Sequence, residues 1–313
     1  MKHKDVIIRG GIVVFAWLLA ACGTTAKLSA GMDRGEIVRW QQSAVEGDLK
    51  VTMHWVMPVL PGPHPTLILN PGRGQNAEDL LGEAARFAGN GYLVVALDYE
   101  RKIHGQFTTT MFPWRQQDDA RLVLALIKSN PMVDRDRIAA VGYSLGGAHA
   151  LLMAASTSGD IKAVVTYYPM TDFPAWRDEK EKSWIWRVVF SFVRESYNSE
   201  SEQHNDATHN ALLARYSAIN YADVIHSPVL IIHGDDDGIA PLEYSRRLHN
   251  RLRSNGRSAS DLLVVNGGDH AFNFKPSGNT EESWRIALGW LDRHLEPSVM
   301  AMNSVADKSR KSF

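Results

Sequence analysis

The chain has 313 residues, with 34 lysines and arginines against 35 aspartates and glutamates, 44% hydrophobic and 22% charged residues. That length and apolar share are those of an ordinary globular protein with a sizeable core, organised as one large α/β domain or two small ones. The balanced charge supplies no basic field of the kind a nucleic-acid partner requires, so nucleic acid is not expected as a ligand.

Lys2, Lys4 and Arg9 form a positive leader, and Gly10 to Ala21 is uncharged and strongly apolar. This run is too short to cross a bilayer but suits the apolar region of a signal peptide. It ends at Leu19-Ala20-Ala21-Cys22, which resembles the lipobox of bacterial lipoproteins. The resemblance implies cleavage of residues 1–21 and attachment of lipid at Cys22, hence a membrane partner through that anchor. More than one acyl chain would make the anchoring stable, since a single chain holds only marginally. Gly23 in place of aspartate after the cysteine implies the outer membrane in a Gram-negative host. The alternatives are an ordinary secretory signal with an incidental cysteine and an uncleaved anchor. Cys22 is the only cysteine, so no intrachain disulfide forms.

Residues 22–34 have linker character, and a domain is expected over 35–297. Leu49, Val51, Met53 and Trp55 alternate as in a strand. Thr66 to Leu69 is a short apolar run of buried parallel-strand type that empties into Asn70-Pro71-Gly72-Arg73-Gly74. Asn76 is placed to cap a helix with Leu80, Leu81, Ala84, Phe87 and Ala88 as its stripe, and Asn90-Gly91 ends it. A strand over Leu93 to Leu97 and a helix around Leu122, Val123, Leu126 and Ile127 follow. Ile138 to Val141 is a strand, Ala148 to Met153 a helix, and Ala163 to Tyr167 another strand. The alternation breaks at about 171–221 and resumes with strands at Val229 to Ile232 and Leu262 to Val265, each followed by a helix. The tail 298–313 is expected to be disordered. Strands alternating with helices imply one α/β domain with a mostly parallel sheet.

Between the Ile138 strand and the Ala148 helix lies Gly142-Tyr143-Ser144-Leu145-Gly146-Gly147. A serine flanked by glycines on a strand-to-helix turn is the nucleophile elbow, and such folds order their triad as serine, acid, histidine. The reactive loops of an open parallel sheet sit at the carboxyl ends of its strands. His233-Gly234-Asp235-Asp236-Asp237-Gly238-Ile239-Ala240-Pro241 follows the strand at Val229 to Ile232, and Gly268-Asp269-His270-Ala271-Phe272 follows the last. Both meet that order. Together with Asp134 to Ile138 just before the elbow, these motifs resemble the dienelactone hydrolase group of α/β-hydrolases, close also to the prolyl-oligopeptidase-type hydrolases. The resemblance covers roughly Leu49 to Leu295. It implies an α/β-hydrolase fold in which a mostly parallel central sheet is flanked by helices, with 171–221 as a helical cap insertion.

The expected catalytic set is Ser144 as nucleophile, His270 as general base and acid, and Asp237 as the group that orients the imidazole. The family pattern H-G-x-x-D-x-x-x-P places the acid at Asp237, and Asp235 and Asp236 stay open as alternatives. His233, closing its strand, reads as a buried structural partner. The oxyanion hole is expected from the Leu145 N–H and, by match to the His-Gly-x of relatives, from that of Arg73. Pro71 departs from that pattern where relatives have histidine. No metal or cofactor is expected, since the Asp235 to Asp237 run lacks calcium-loop spacing and HExxH is absent.

In the insertion, Ile185, Val188, Val189 and Phe192 form one helical stripe and Trp186, Phe190, Val193 and Tyr197 a second. A helix apolar on two sides covers two surfaces. It could roof Ser144 with Trp184 and Trp186 near a substrate pocket, pack only on the body, or face a membrane. The functional expectation is a lipid-anchored serine hydrolase of small carboxylic esters. A prolyl-oligopeptidase-type peptidase and a non-catalytic lipoprotein binding module on a hydrolase scaffold are the alternatives.

Overall fold

The computed structural model describes residues 26–29, 37–103, 105–109, 117–157, 159–184, 206–256 and 259–296. Residues 1–21, Cys22, Trp186, the two stripes of 185–197 and the tail 298–313 lie outside the described residues.

A ten-stranded sheet runs through the molecule. Its strands are β1 (Ala26–Ser29), β2 (Ile37–Glu46), β3 (Leu49–Pro58), β4 (His64–Asn70), β5 (Leu93–Ile103), β6 (Gln106–Thr109), β7 (Val133–Tyr143), β8 (Ile161–Tyr167), β9 (Val229–Gly234) and β10 (Ser260–Val265). The order across the sheet is β1-β2-β3-β5-β4-β7-β8-β9-β10, with β6 paired to β5 outside that path. From β5 through β4, β7, β8 and β9 to β10 every pairing is parallel, while β1, β2, β3 and β6 join antiparallel. The stretch read as linker therefore carries a strand, since Ala26 to Ser29 pairs with Gln42 to Arg39 of β2. The strand expected over Leu93 to Leu97 also runs further, because β5 continues to Ile103 ahead of its pairing with β6.

The central strands are apolar along their whole length because both faces of a parallel sheet are covered. The α-helices among the described residues are α1 (Leu81–Ala88), α2 (Gln117–Lys128), α3 (Leu145–Ser156), α4 (Phe173–Lys180), α5 (Asp206–Tyr216), α6 (Leu242–Ser254) and α7 (Gly278–Leu295). One core cluster takes alternate strand residues such as Ile68, Val95, Ala140 and Val164 with Val123 and Ile127 of α2, Leu151 of α3 and Leu248 of α6. The other takes Leu67, Leu69, Val94, Val141 and Val165 with Phe87 of α1 and Leu291 of α7. Of the expected stripe, Leu80, Ala84, Phe87 and Ala88 are buried and Leu81 is half-buried, and Asn76 caps the short 3-10 turn ahead of α1 through a reciprocal bond with Asp79. No helix of the described residues is long and apolar enough to cross a membrane.

Candidate active site

The crossover order puts the loops after β4, β7, β8, β9 and β10 side by side at the carboxyl edge of the sheet. Ser144 stands on the turn between β7 and α3, with φ 53° and ψ −115°. A non-glycine residue there is strained, and surrounding contacts must hold it. They do. The Ser144 N–H donates to Tyr167 O at 2.9 Å, and Ser144 O accepts from Gly147 N at 3.0 Å and Met170 N at 3.2 Å.

The glycines of the elbow are set by close backbone approach. A Cβ on Gly142 would lie 2.1 Å from Gly146 O, and one on Gly146 would lie 2.1 Å from Asn70 O. The β4 loop is thereby pressed against the turn. Asn70 beneath it is buried, donating to Val141 O at 3.2 Å and accepting from the Tyr99 hydroxyl at 3.1 Å.

His270 follows β10 in a turn completed by Ala271 in the left-handed region, φ 64°. Its Nε2 is 3.0 Å from Ser144 Oγ and its Nδ1 2.7 Å from Asp237 Oδ2. Asp237 lies in the loop between β9 and α6, its side chain fully buried. Its Oδ1 accepts from Ile239 N at 2.9 Å and Ala240 N at 2.8 Å. Burial alone would raise its pKa. Hydrogen bonds from His233 and His270, the nearby His270 charge and the Ala240 N–H outweigh that and hold the carboxyl well below the usual carboxylate range.

Of the three aspartates open as the acid, only Asp237 meets His270. Asp235 is exposed and accepts from Gly267 N at 2.7 Å, and Asp236 is exposed. His233 is fully buried, as expected of a structural partner. Its Nε2 lies 2.7 Å from Ala240 O, which can only accept, so Nε2 carries the hydrogen and Nδ1 accepts from the Ser245 hydroxyl at 2.7 Å. The same Nε2 is 3.3 Å from Asp237 Oδ2. Asp237 Oδ2 thus meets both imidazoles, a contact of His233 that the sequence motif alone did not reveal.

Leu145 occupies the first position of α3, where a backbone N–H has no partner within the helix. The oxygen of an attacked carbonyl would sit at that helix N-terminus. Gly72 packs close to the nucleophile, since a Cβ on it would be 3.5 Å from Ser144 Cβ, and its N–H is taken by Gln75 Oε1 at 3.0 Å. Arg73 follows on the exposed side of the same loop. Gln75 is a part of this edge that sequence reading missed, and its short range from Gly72 was the available signal.

Trp184 is 68% exposed and lies at the end of the first described segment of the insertion, 171–184. The beginning of that insertion braces the acid loop. Trp176 Nε1 of α4 donates to Ile239 O at 2.7 Å, Lys180 Nζ donates to Gly238 O at 2.6 Å, and the Tyr244 hydroxyl donates to Ala175 O at 3.1 Å. Its first helix therefore packs on the body.

The chain is similar to the esterase LipC of Mycobacterium tuberculosis, 26% identical over 245 residues that make up 70% of this chain and 55% of LipC. Its fold is similar to that of the acylaminoacyl peptidase of Pyrococcus horikoshii, with a TM-score of 0.65 and 18% identity, covering 84% of this chain and 42% of the peptidase. It also matches acetyl xylan esterase 1 of Thermoanaerobacterium, with a TM-score of 0.59 and 19% identity over 90% of this chain and 92% of the esterase. The chain spans only about half the length of LipC and less than half that of the peptidase. The fold is that of the α/β-hydrolases. The profile of the prolyl oligopeptidase family matches residues 83–298, a span that holds Ser144, Asp237 and His270, and the chain belongs to that family.

Proposed function

We propose that the protein is a serine hydrolase that cleaves carboxylic esters through an acyl-enzyme. The observation that carries this reading is the unbroken line of hydrogen bonds from Ser144 Oγ through His270 to a buried, ionised Asp237.

A serine hydroxyl is a weak nucleophile until a base in hydrogen-bond reach takes its proton. His270 Nε2 receives that proton as Ser144 Oγ bonds to the ester carbonyl carbon. The imidazolium so formed is stabilised by Asp237, which also fixes the Nδ1–H tautomer. The carbonyl oxygen becomes an oxyanion that accepts from the Leu145 N–H, with the Arg73 N–H as the second donor. His270 then returns the proton to the departing alkoxide. A water deprotonated by His270 attacks the acyl-serine, releasing the carboxylic acid and restoring Ser144.

Ester cleavage is supported by similarity to a protein named an esterase over 70% of this chain. The family match and the likeness to an acylaminoacyl peptidase support a second reading, cleavage of amides by the same groups. A fluorophosphonate probe is expected to label the wild-type protein and not Ser144→Ala. Folded wild-type protein that resists labelling would refute the hydrolase reading. Turnover of aminoacyl amides with none of short-chain esters would replace the esterase with the peptidase.

The protein is further proposed to be exported and lipid-anchored at Cys22, on the strength of the Leu19-Ala20-Ala21-Cys22 sequence. Cells given labelled palmitate are expected to incorporate it into the wild-type chain and not into Cys22→Ala. Equal incorporation by both would defeat this assignment.

A further inference from the structure

Tyr168 follows β8 and holds a backbone conformation unusual for a tyrosine, with φ 38°. Its N–H donates to Ile232 O at 2.7 Å, tying the end of β8 to the strand that delivers Asp237. The side chain is 1% exposed. Its ring centroid lies 4.6 Å from that of His270, with the planes inclined by 56°. Its hydroxyl donates to Oδ1 of Asn273, itself 5% exposed and three residues beyond His270. A buried phenol needs such a partner, so this bond fixes the ring as well as the loop. Phe272, between the two contact points, packs on the same ring with centroids 5.9 Å apart.

We propose that Tyr168 is a positioning residue for the reaction, acting through His270. It holds the base loop at two points, ring against imidazole and hydroxyl against Asn273, so that Nε2 stays in line with Ser144 Oγ. The inference rests on the serine hydrolase reading above. Its physical content has two parts. The ring fills the space into which the imidazole would otherwise turn, so the distance of 3.0 Å to Ser144 is kept without help from substrate. The ring also favours the imidazolium that forms during turnover, as an aromatic group does for a cation within about 6 Å. The other ionisable groups about the imidazole are Asp237 on Nδ1, His233 behind Asp237, and the neighbouring Asp269, whose charge is matched by Lys275.

The test compares Tyr168→Phe, Tyr168→Leu and Asn273→Ala with wild type on a p-nitrophenyl ester. Rates are normalised to sites titrated by a fluorophosphonate, so that misfolded protein is not counted. Loss of the hydroxyl bond in Tyr168→Phe and in Asn273→Ala is expected to lower kcat about fivefold, and loss of ring and bond in Tyr168→Leu about fiftyfold, with KM within twofold of wild type. In Tyr168→Leu the weaker support for the imidazolium is expected to move the acid limb of kcat/KM to lower pH by about half a unit. Phenylalanine, which restores the ring, should bring that limb back to the wild-type position while kcat stays below wild type. Unchanged kcat and an unchanged acid limb in all three variants would overturn the proposal, as would a rise in KM with kcat intact, which assigns Tyr168 to substrate contact. If Tyr168→Leu does not fold, a kcat within twofold of wild type in both Tyr168→Phe and Asn273→Ala overturns it. A wild-type protein that neither hydrolyses esters or amides nor takes the probe refutes the hydrolase reading instead, which separates the two failures.

Discussion

In Asp237→Asn, kcat on an ester substrate is expected to fall about 10⁴-fold while the protein stays folded. The carboxylate accepts Nδ1–H of His270 at 2.7 Å on one oxygen and two backbone N–H groups on the other. An asparagine can keep its oxygen on the two backbone donors, which leaves its NH₂ facing Nδ1. His270 must then accept at Nδ1 and carry its hydrogen on Nε2, where it can no longer take the proton of Ser144. Removing the imidazole in His270→Ala is expected to cost more, about 10⁵ to 10⁶-fold, because the base itself is gone. Steady-state rates per mole of folded protein, counted by circular dichroism and absorbance, check both, and an Asp237→Asn enzyme within tenfold of wild type would remove Asp237 from its assigned role.

The same substitution has a stability signature of known sign. The folded pKa of Asp237 is depressed, so its contribution is complete above the unfolded value of about 3.9 and is lost as pH falls through the folded one. Acid unfolding of Asp237→Asn should therefore be less steep than that of wild type, since this group no longer takes up a proton on unfolding.

The second large effect concerns the backbone of the elbow. Gly146→Ala would place a methyl 2.1 Å from Asn70 O and 2.4 Å from Pro71 O, both backbone atoms of the β4 loop. Neither can yield without moving the strand end, so a loss of about 3 kcal/mol or more is expected, a drop in Tm on the order of 10 °C. Gly82→Ala in α1, where nothing lies within 4 Å, is the matched control and should be neutral or slightly stabilising. Ser144 tests the same turn from the other side. Its φ of 53° costs a side-chain-bearing residue about 1–3 kcal/mol, so Ser144→Gly should melt above Ser144→Ala although both are inactive. Equal melting of Gly146→Ala and Gly82→Ala would contradict the close packing.

The sequence makes the parallel half of the sheet readable because its strands are covered on both faces and leave uninterrupted apolar runs, as at Leu93 to Leu97. The antiparallel margin carries no such mark. Ile37 to Glu46 mixes Arg39, Gln41 and Gln42 with apolar residues because β2 is only half-buried, and its partners lie in β1 and β3 rather than in its own pattern. Ala26 to Ser29 has too few residues to declare a strand at all. The candidate site was legible in Ser144, Asp237 and His270, which each stand in a motif after a strand and which the structure brings within hydrogen-bond distance. Its supports were not. The contact of His233 with Asp237 depends on how one loop turns, those of Tyr168 with His270 and Asn273 arise only when the segments after β8 and β10 converge, and His233 and Tyr168 look locally like strand ends. Choosing Asp237 over Asp235 and Asp236 on geometry likewise needed the turn that buries one and exposes the other two.

The order of strands has a consequence for the protein's timing. Ser144 and His270 are 126 residues apart, whereas His270 and Asp237 are separated by 33. A growing chain completed only as far as β8 possesses its elbow and Ser144, but not His270. The acid arrives with β9 and the base only after β10, at the far edge of the sheet. The line from Ser144 through His270 to Asp237 therefore closes only at the last stage of synthesis, and a chain cut short before that point lacks it.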